Sequence, residues 1–146
     1  MRFLIQLSIL QLLWVLPTQA QLRFAHIFGD HAVLQRDVPI AVWGFGGNPG
    51  KKLEVRFGTQ RVGATVGPDG RWRATLPAHP AGKGGALELL QDGKSVAKAE
   101  SILIGEVWLA AGQSNMQFGV KGMVRGMPKT QSWVDSANFP NVRLRR

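Results

Sequence analysis

At 146 residues, 45% of them hydrophobic and 18% charged, the chain has the balance of a folded globular protein and excludes a disordered one; it has room for one ordinary domain, or for a small domain plus the beginning of another. It contains no cysteine, which excludes disulfides and an acylated lipobox. The formal charge of +9 is carried by cations set singly along the chain, as at Arg56, Arg61, Arg71 and Arg73, which points to solvated strand faces and away from nucleic-acid binding.

Residues 1–20 open with one cation, Arg2, continue through an apolar stretch from Phe3 to Leu16 and end on Thr18, Gln19 and Ala20. This is the pattern of a secretory signal peptide cleaved after Ala20, since the apolar run falls short of the roughly 18 to 20 residues that cross a bilayer; an uncleaved anchor or a buried helix is the alternative. The expected location is secreted or periplasmic, with no membrane attachment after cleavage.

Residues 21–100 read as a β-sandwich domain, with a small barrel as the alternative. From Ala32 to Ala99, short runs of period two alternate with turn signals. Leu53, Val55 and Phe57 share one strand face against Lys52, Glu54 and Arg56; Trp72, Ala74 and Leu76 share one against Arg71, Arg73 and Thr75. Trp43 and Trp72 are both expected in the core. Asp69-Gly70 and Asp92-Gly93 supply residues that tolerate the positive φ of tight hairpins, and six to eight strands are expected.

At Ser101 the pattern changes. Ile102, Leu103, Ile104, Val107, Trp108 and Leu109 form a near-continuous apolar run, as in a strand of a parallel sheet covered on both faces. A loop rich in Gly and Met follows, from Gly119 to Pro128, then a short helix over Thr130–Ala137 and a new strand from Asn141. One complete strand and one incipient strand cannot bury an α/β layer, so 101–146 is expected to be the start of a truncated domain and the chain a fragment of a longer protein.

Two glycine-rich stretches fail as phosphate loops. In Gly44-Phe45-Gly46-Gly47-Asn48-Pro49-Gly50, Pro49 stands where the third glycine belongs and a strand follows; in Gly82-Lys83 the next residue is Gly84 rather than Ser or Thr. His26, His31 and His79 are isolated, with no spaced acid or cysteine set, so no metal is expected.

The cluster Gly112-Gln113-Ser114-Asn115-Met116 is chemically more specific. At the tip of a buried parallel strand a serine would gain an exposed hydroxyl and neighbouring backbone N–H groups able to stabilise an oxyanion. Met116 in the second glycine position argues against the G-x-S-x-G elbow of α/β-hydrolases. On spacing alone, Ser114 is either a nucleophile or, with Asn115, an N-cap of the following helix.

The stretch Gly105-Glu106-Val107-Trp108-Leu109-Ala110-Ala111-Gly112-Gln113-Ser114-Asn115-Met116 resembles the nucleophile block of the sialate O-acetylesterase family, carbohydrate esterases of the SGNH-hydrolase type. Phe28-Gly29-Asp30-His31-Ala32-Val33-Leu34-Gln35-Arg36, then Pro39 and Val42-Trp43-Gly44, resemble the family's opening segment; Asp69-Gly70-Arg71-Trp72 and Pro140-Asn141-Val142-Arg143-Leu144 fit as well. The resemblance implies a β plus α/β fold, with an N-terminal antiparallel β-sandwich followed by the first strand-turn-helix of a flavodoxin-like SGNH hydrolase domain. It also implies Ser114 as nucleophile, positioning roles for Gly112, Gln113 and Asn115, an acetylated carbohydrate as substrate and no cofactor.

The family's histidine base and its aspartate come late in the catalytic domain, whereas all three histidines here precede the nucleophile block. The 146-residue piece is therefore expected to be inactive without a further catalytic segment. A non-catalytic carbohydrate-binding module, with Trp43 or Trp72 stacking on sugar rings, and a pseudoenzyme remnant are the competing readings.

Overall fold

The computed structural model describes residues 20–117 and 119–144. The expected signal peptide, residues 1–20, lies outside the described residues except for Ala20. Eight strands follow in order: β1 (Arg23–Phe24), β2 (Val33–Gln35), β3 (Ile40–Phe45), β4 (Lys52–Phe57), β5 (Gln60–Thr65), β6 (Arg71–Leu76), β7 (Gly82–Gln91) and β8 (Lys94–Gly105). They form a three-stranded sheet, β1-β3-β6, and a five-stranded sheet, β2-β8-β7-β4-β5.

Alternation sets the inner faces. Leu53, Val55 and Phe57 on β4, Trp72, Ala74 and Leu76 on β6 and Leu87 and Leu89 on β7 are buried, and side chains of both sheets feed one continuous apolar cluster. Asp92 and Gly93, with φ of 50° and 76°, make the hairpin between β7 and β8, as a primed turn requires. The Asp69-Gly70 turn is closed by Arg71 N–H donating to Asp69 Oδ1 at 3.0 Å and Gly67 N–H donating to the Arg71 carbonyl at 2.7 Å.

Trp43 departs from expectation. Ile40 and Val42 point inward, so period two turns Trp43 outward, where it is 38% exposed. Trp72 takes the inward place opposite Gly44, and any Cβ at Gly44 would run into the Trp72 ring and the Arg23 carbonyl. One tryptophan belongs to the core and the other to the surface.

A second departure concerns the apolar run after Ser101. Residues 101–105 are the end of β8, antiparallel to β7 and parallel to β2, so the expected boundary between 100 and 101 falls inside a strand of the five-stranded sheet. Beyond Gly105 no ladder continues, and Val107, Trp108 and Leu109 are exposed. An apolar run becomes a strand only where a neighbour pairs with its backbone, and among the described residues none does so past Gly105.

The segment 106–144 holds α1 (Val120–Gly126), α2 (Gln131–Ser136) and 3-10 turns over Ser114–Gln117 and Pro128–Thr130. The helix α2 lies where it was expected, with Thr130 before it; the Thr130 hydroxyl donates to the Met127 carbonyl at 2.8 Å instead of capping. The loop expected over Gly119–Pro128 is largely α1: Val120, Met123 and Val124 keep helical spacing that the glycines obscured. The strand expected from Asn141 is absent over 141–144: Pro140 and Asn141 form a turn, with Val142 N–H donating to the Phe139 carbonyl at 2.9 Å; residues 145 and 146 lie outside the described residues.

Candidate active site

The serine block is reached from β8 through an extended stretch, and that stretch is anchored at its root. Gln35, the last residue of β2, accepts the Val107 N–H on Oε1 at 2.9 Å and donates from Nε2 to Glu106 Oε2 at 3.2 Å. Arg36 N–H donates to the Gly105 carbonyl at 3.0 Å. The Arg36 guanidinium, hydrogen-bonded to Asp37 at 2.5 Å and 3.8 Å from Glu106, is held above its usual range chiefly by the Asp37 bond.

The other end of the β2–β8 pairing is fixed in the same way. Glu100 N–H donates to Asp30 Oδ1 at 2.7 Å, and His31, at a φ of 62°, donates its N–H to the Glu100 carbonyl at 2.9 Å. Parallel register then sets Val33 beside Leu103, Leu34 beside Ile104 and Gln35 beside Gly105. Residues 28–36 and 105–107, far apart in sequence, thus become adjacent.

Arg143 adds a clasp. Its guanidinium donates to the Ser101 carbonyl, and to Ser101 Oγ and the Ala32 carbonyl at 3.5 Å each, which ties the end of the described chain to the same strand pair. Ser101 itself sits at a φ of 57°, an uncommon conformation for a residue with a side chain. Gln35, Asp30 and Arg143 were not singled out by sequence reasoning. The available signal for Gln35 was a polar residue closing the apolar strand Val33-Leu34.

Ser114 is exposed and is the first residue of the 3-10 turn Ser114–Gln117. The turn's first bond runs from Met116 N–H to the Gln113 carbonyl at 2.9 Å, so Gln113 holds the N-cap position and Ser114 lies one step inside. The expectation of Ser114 or Asn115 as the cap is corrected accordingly. Gly112 is explained by its surroundings: a Cβ there would lie 2.6 Å from Met116 Cγ, so the absent side chain lets Met116 fold back over the turn. Asn115 contributes its backbone to the turn.

Ser114 does not sit at a strand tip, because residues 106–113 separate it from the end of β8. Among the described residues no histidine or carboxylate is hydrogen-bonded to it. His79 is engaged elsewhere, 3.0 Å from Gln60 Oε1 and edge-on to Phe57 with ring centroids 5.3 Å apart. No group of three or more His, Asp or Glu side chains that could hold a metal occurs among the described residues, and no described helix is long and apolar enough to cross a membrane.

Comparison with models of protein families finds none that matches. Curated relatives do match: sialate O-acetylesterase of Rattus norvegicus is 30% identical over an alignment of 132 residues that covers 84% of this chain and 24% of the rat protein. The Homo sapiens sialate O-acetylesterase is 31% identical over the same shares. Among solved structures, a carbohydrate acetylesterase from Xanthomonas citri superposes with a TM-score of 0.67 at 32% identity, covering 80% of this chain and 26% of that one. The chain thus spans about a quarter of the length of the relatives it matches, and over that span these similarities support a sialate O-acetylesterase-like family.

Proposed function

We infer that the chain carries the nucleophile-bearing part of a secreted carbohydrate acetylesterase acting on O-acetylated sugars, sialic acids among them. Ser114 Oγ attacks the acetyl carbonyl carbon, the sugar oxygen leaves with a proton, and water releases acetate from the acetyl-serine. Gln113, Asn115 and Gly112 position the turn, and the Ser114 backbone N–H serves as one oxyanion donor. The observation that carries this reading is the agreement of sequence and backbone with acetylesterases over at least four-fifths of the chain.

A serine hydroxyl without a base is a weak nucleophile, and His26, His31 and His79 all lie within the strand region. On this reading the base comes from outside the 146 residues, and the chain alone is inactive. The exposure of Trp108 (86%), Leu109 (93%) and Trp133 (69%) supports a flavodoxin-like layer closing over 106–144, since side chains of this size are normally covered.

The test is acetate release from an O-acetylated sialic acid by the 146-residue chain and by a protein that contains it at the relatives' length, each with Ser114→Ala beside it. Activity is expected only in the longer protein, falling by about a thousandfold or more in the variant. Activity indifferent to Ser114→Ala would sink the mechanism. Ser114-dependent activity of the short chain would overturn the external base.

A further inference from the structure

The solvent face of the three-stranded sheet gathers charges that the sequence scatters. Arg23 on β1, Trp43 on β3, and Arg71 and Arg73 on β6 are exposed there, and Phe45 on β3 is part-buried, packed against the edge of the core. Register places Arg23 opposite Phe45, Phe45 opposite Arg71 and Trp43 opposite Arg73, which makes each pair direct cross-strand neighbours. The Arg23 guanidinium lies 5.1 Å from the centre of the Phe45 ring.

The five-stranded sheet treats its cations differently. There Arg56 is paired with Glu88, and Arg61 with Glu54 at 3.2 Å. On the three-stranded face Arg71 meets Asp69 at 3.5 Å, while among the described residues Arg23 and Arg73 form no ion pair. The arginines of the five-stranded sheet, Arg56 and Arg61, thus have acidic partners, whereas among the described residues Arg23 and Arg73 of the three-stranded sheet have none.

Beside Arg71 and Arg73 lies a shallow depression of about 590 Å³, bordered also by Trp43 and Phe45, with the buried Trp72 beneath. Trp43 is held in place edge-to-face against Phe28, with centroids 4.7 Å apart and planes at 88°. Trp72, beneath the depression, buries its Nε1 without an acceptor among the described residues.

We propose that this face binds an anionic saccharide. The flat Trp43 ring takes the C–H face of a sugar, and the Arg73 and Arg71 guanidinium groups take its carboxylate, whose geometry matches their paired donors. The anionic character follows from Arg73, which has no acidic partner among the described residues, and from the excess of Arg71 and Arg73 over the single carboxylate of Asp69. The choice of a saccharide rests on the carbohydrate-esterase reading above.

The test is a titration of the isotope-labelled 146-residue chain with sialyllactose, lactose and a single-stranded oligonucleotide, followed by NMR. Sialyllactose is expected to shift the Trp43 indole saturably and lactose to bind much more weakly. Arg73→Gln, an exposed change that spares the fold, should weaken sialyllactose by about tenfold. Trp43→Ala should weaken it too, and Arg61→Gln on the other sheet should leave it unchanged. Absence of binding, equal binding of lactose, indifference to Arg73→Gln, or tighter binding of the oligonucleotide would each overturn the proposal. Binding is read without turnover, so failure of the esterase assay and failure here are separate results.

Discussion

From Arg23 to Gly105 most large apolar side chains are covered, whereas the described ones from Val107 to Leu144 are nearly all open to solvent. The two regions do not differ in kind of residue: Trp72 is 2% exposed and Trp108 is 86%. They differ in what lies opposite. Every strand of the first region has a ladder partner and a facing sheet, while 106–144 has short helices and no strand among the described residues. Burial is a property of layers, and one layer alone cannot supply it.

The candidate serine therefore belongs to the less supported region, whose root at Glu106 and Val107 is anchored to the better supported one. Gln35 and Arg143 are the links, each joining a side chain to backbone of the other region at the β2–β8 edge. The two blocks that carry the family resemblance meet there.

The comparison can be broken most sharply in the core. Phe57→Ala, at a residue 1% exposed, is expected to cost about 3–5 kcal/mol in chemical denaturation. Next comes Gly44→Ala, whose methyl group would collide with the Arg23 carbonyl and the Trp72 ring; about 1–3 kcal/mol is expected, with a change in the near-ultraviolet signal of Trp72.

Smaller effects sharpen the picture of the junction. Gln35→Ala removes the acceptor of the Val107 N–H, so a loss of about 1 kcal/mol is expected, with faster hydrogen exchange at Val107 and unchanged exchange at Leu87 in mid-sheet. Trp108→Ala should change stability of the 146-residue chain by no more than about 0.5 kcal/mol, despite the size of the side chain. A cost comparable to that of Phe57→Ala would show that 106–144 is packed as tightly as the sheets.

Much of the strand region was legible because its signals are local. The alternation in Lys52–Phe57 and Arg71–Leu76 and the Asp92-Gly93 turn involve residues within a few positions of one another. The helix over Val120–Gly126 was hidden because Gly119, Gly122 and Gly126 lower helix propensity while the apolar spacing maintains it. At the candidate site, Ser114 and Gly112 were legible from the motif, but the supports Gln35 and Arg143 were not, since each acts across a long sequence separation.

By itself the sequence determined which residues alternate, where the chain turns and which short block resembles the family's nucleophile block. The tertiary structure alone decided that Trp43 faces outward, that β8 ends at Gly105 and that residues 28–36 buttress the approach to Ser114. Periodicity is written between neighbours in the chain, whereas sheet membership, register and cover depend on backbone partners brought together from as far as 70 residues away.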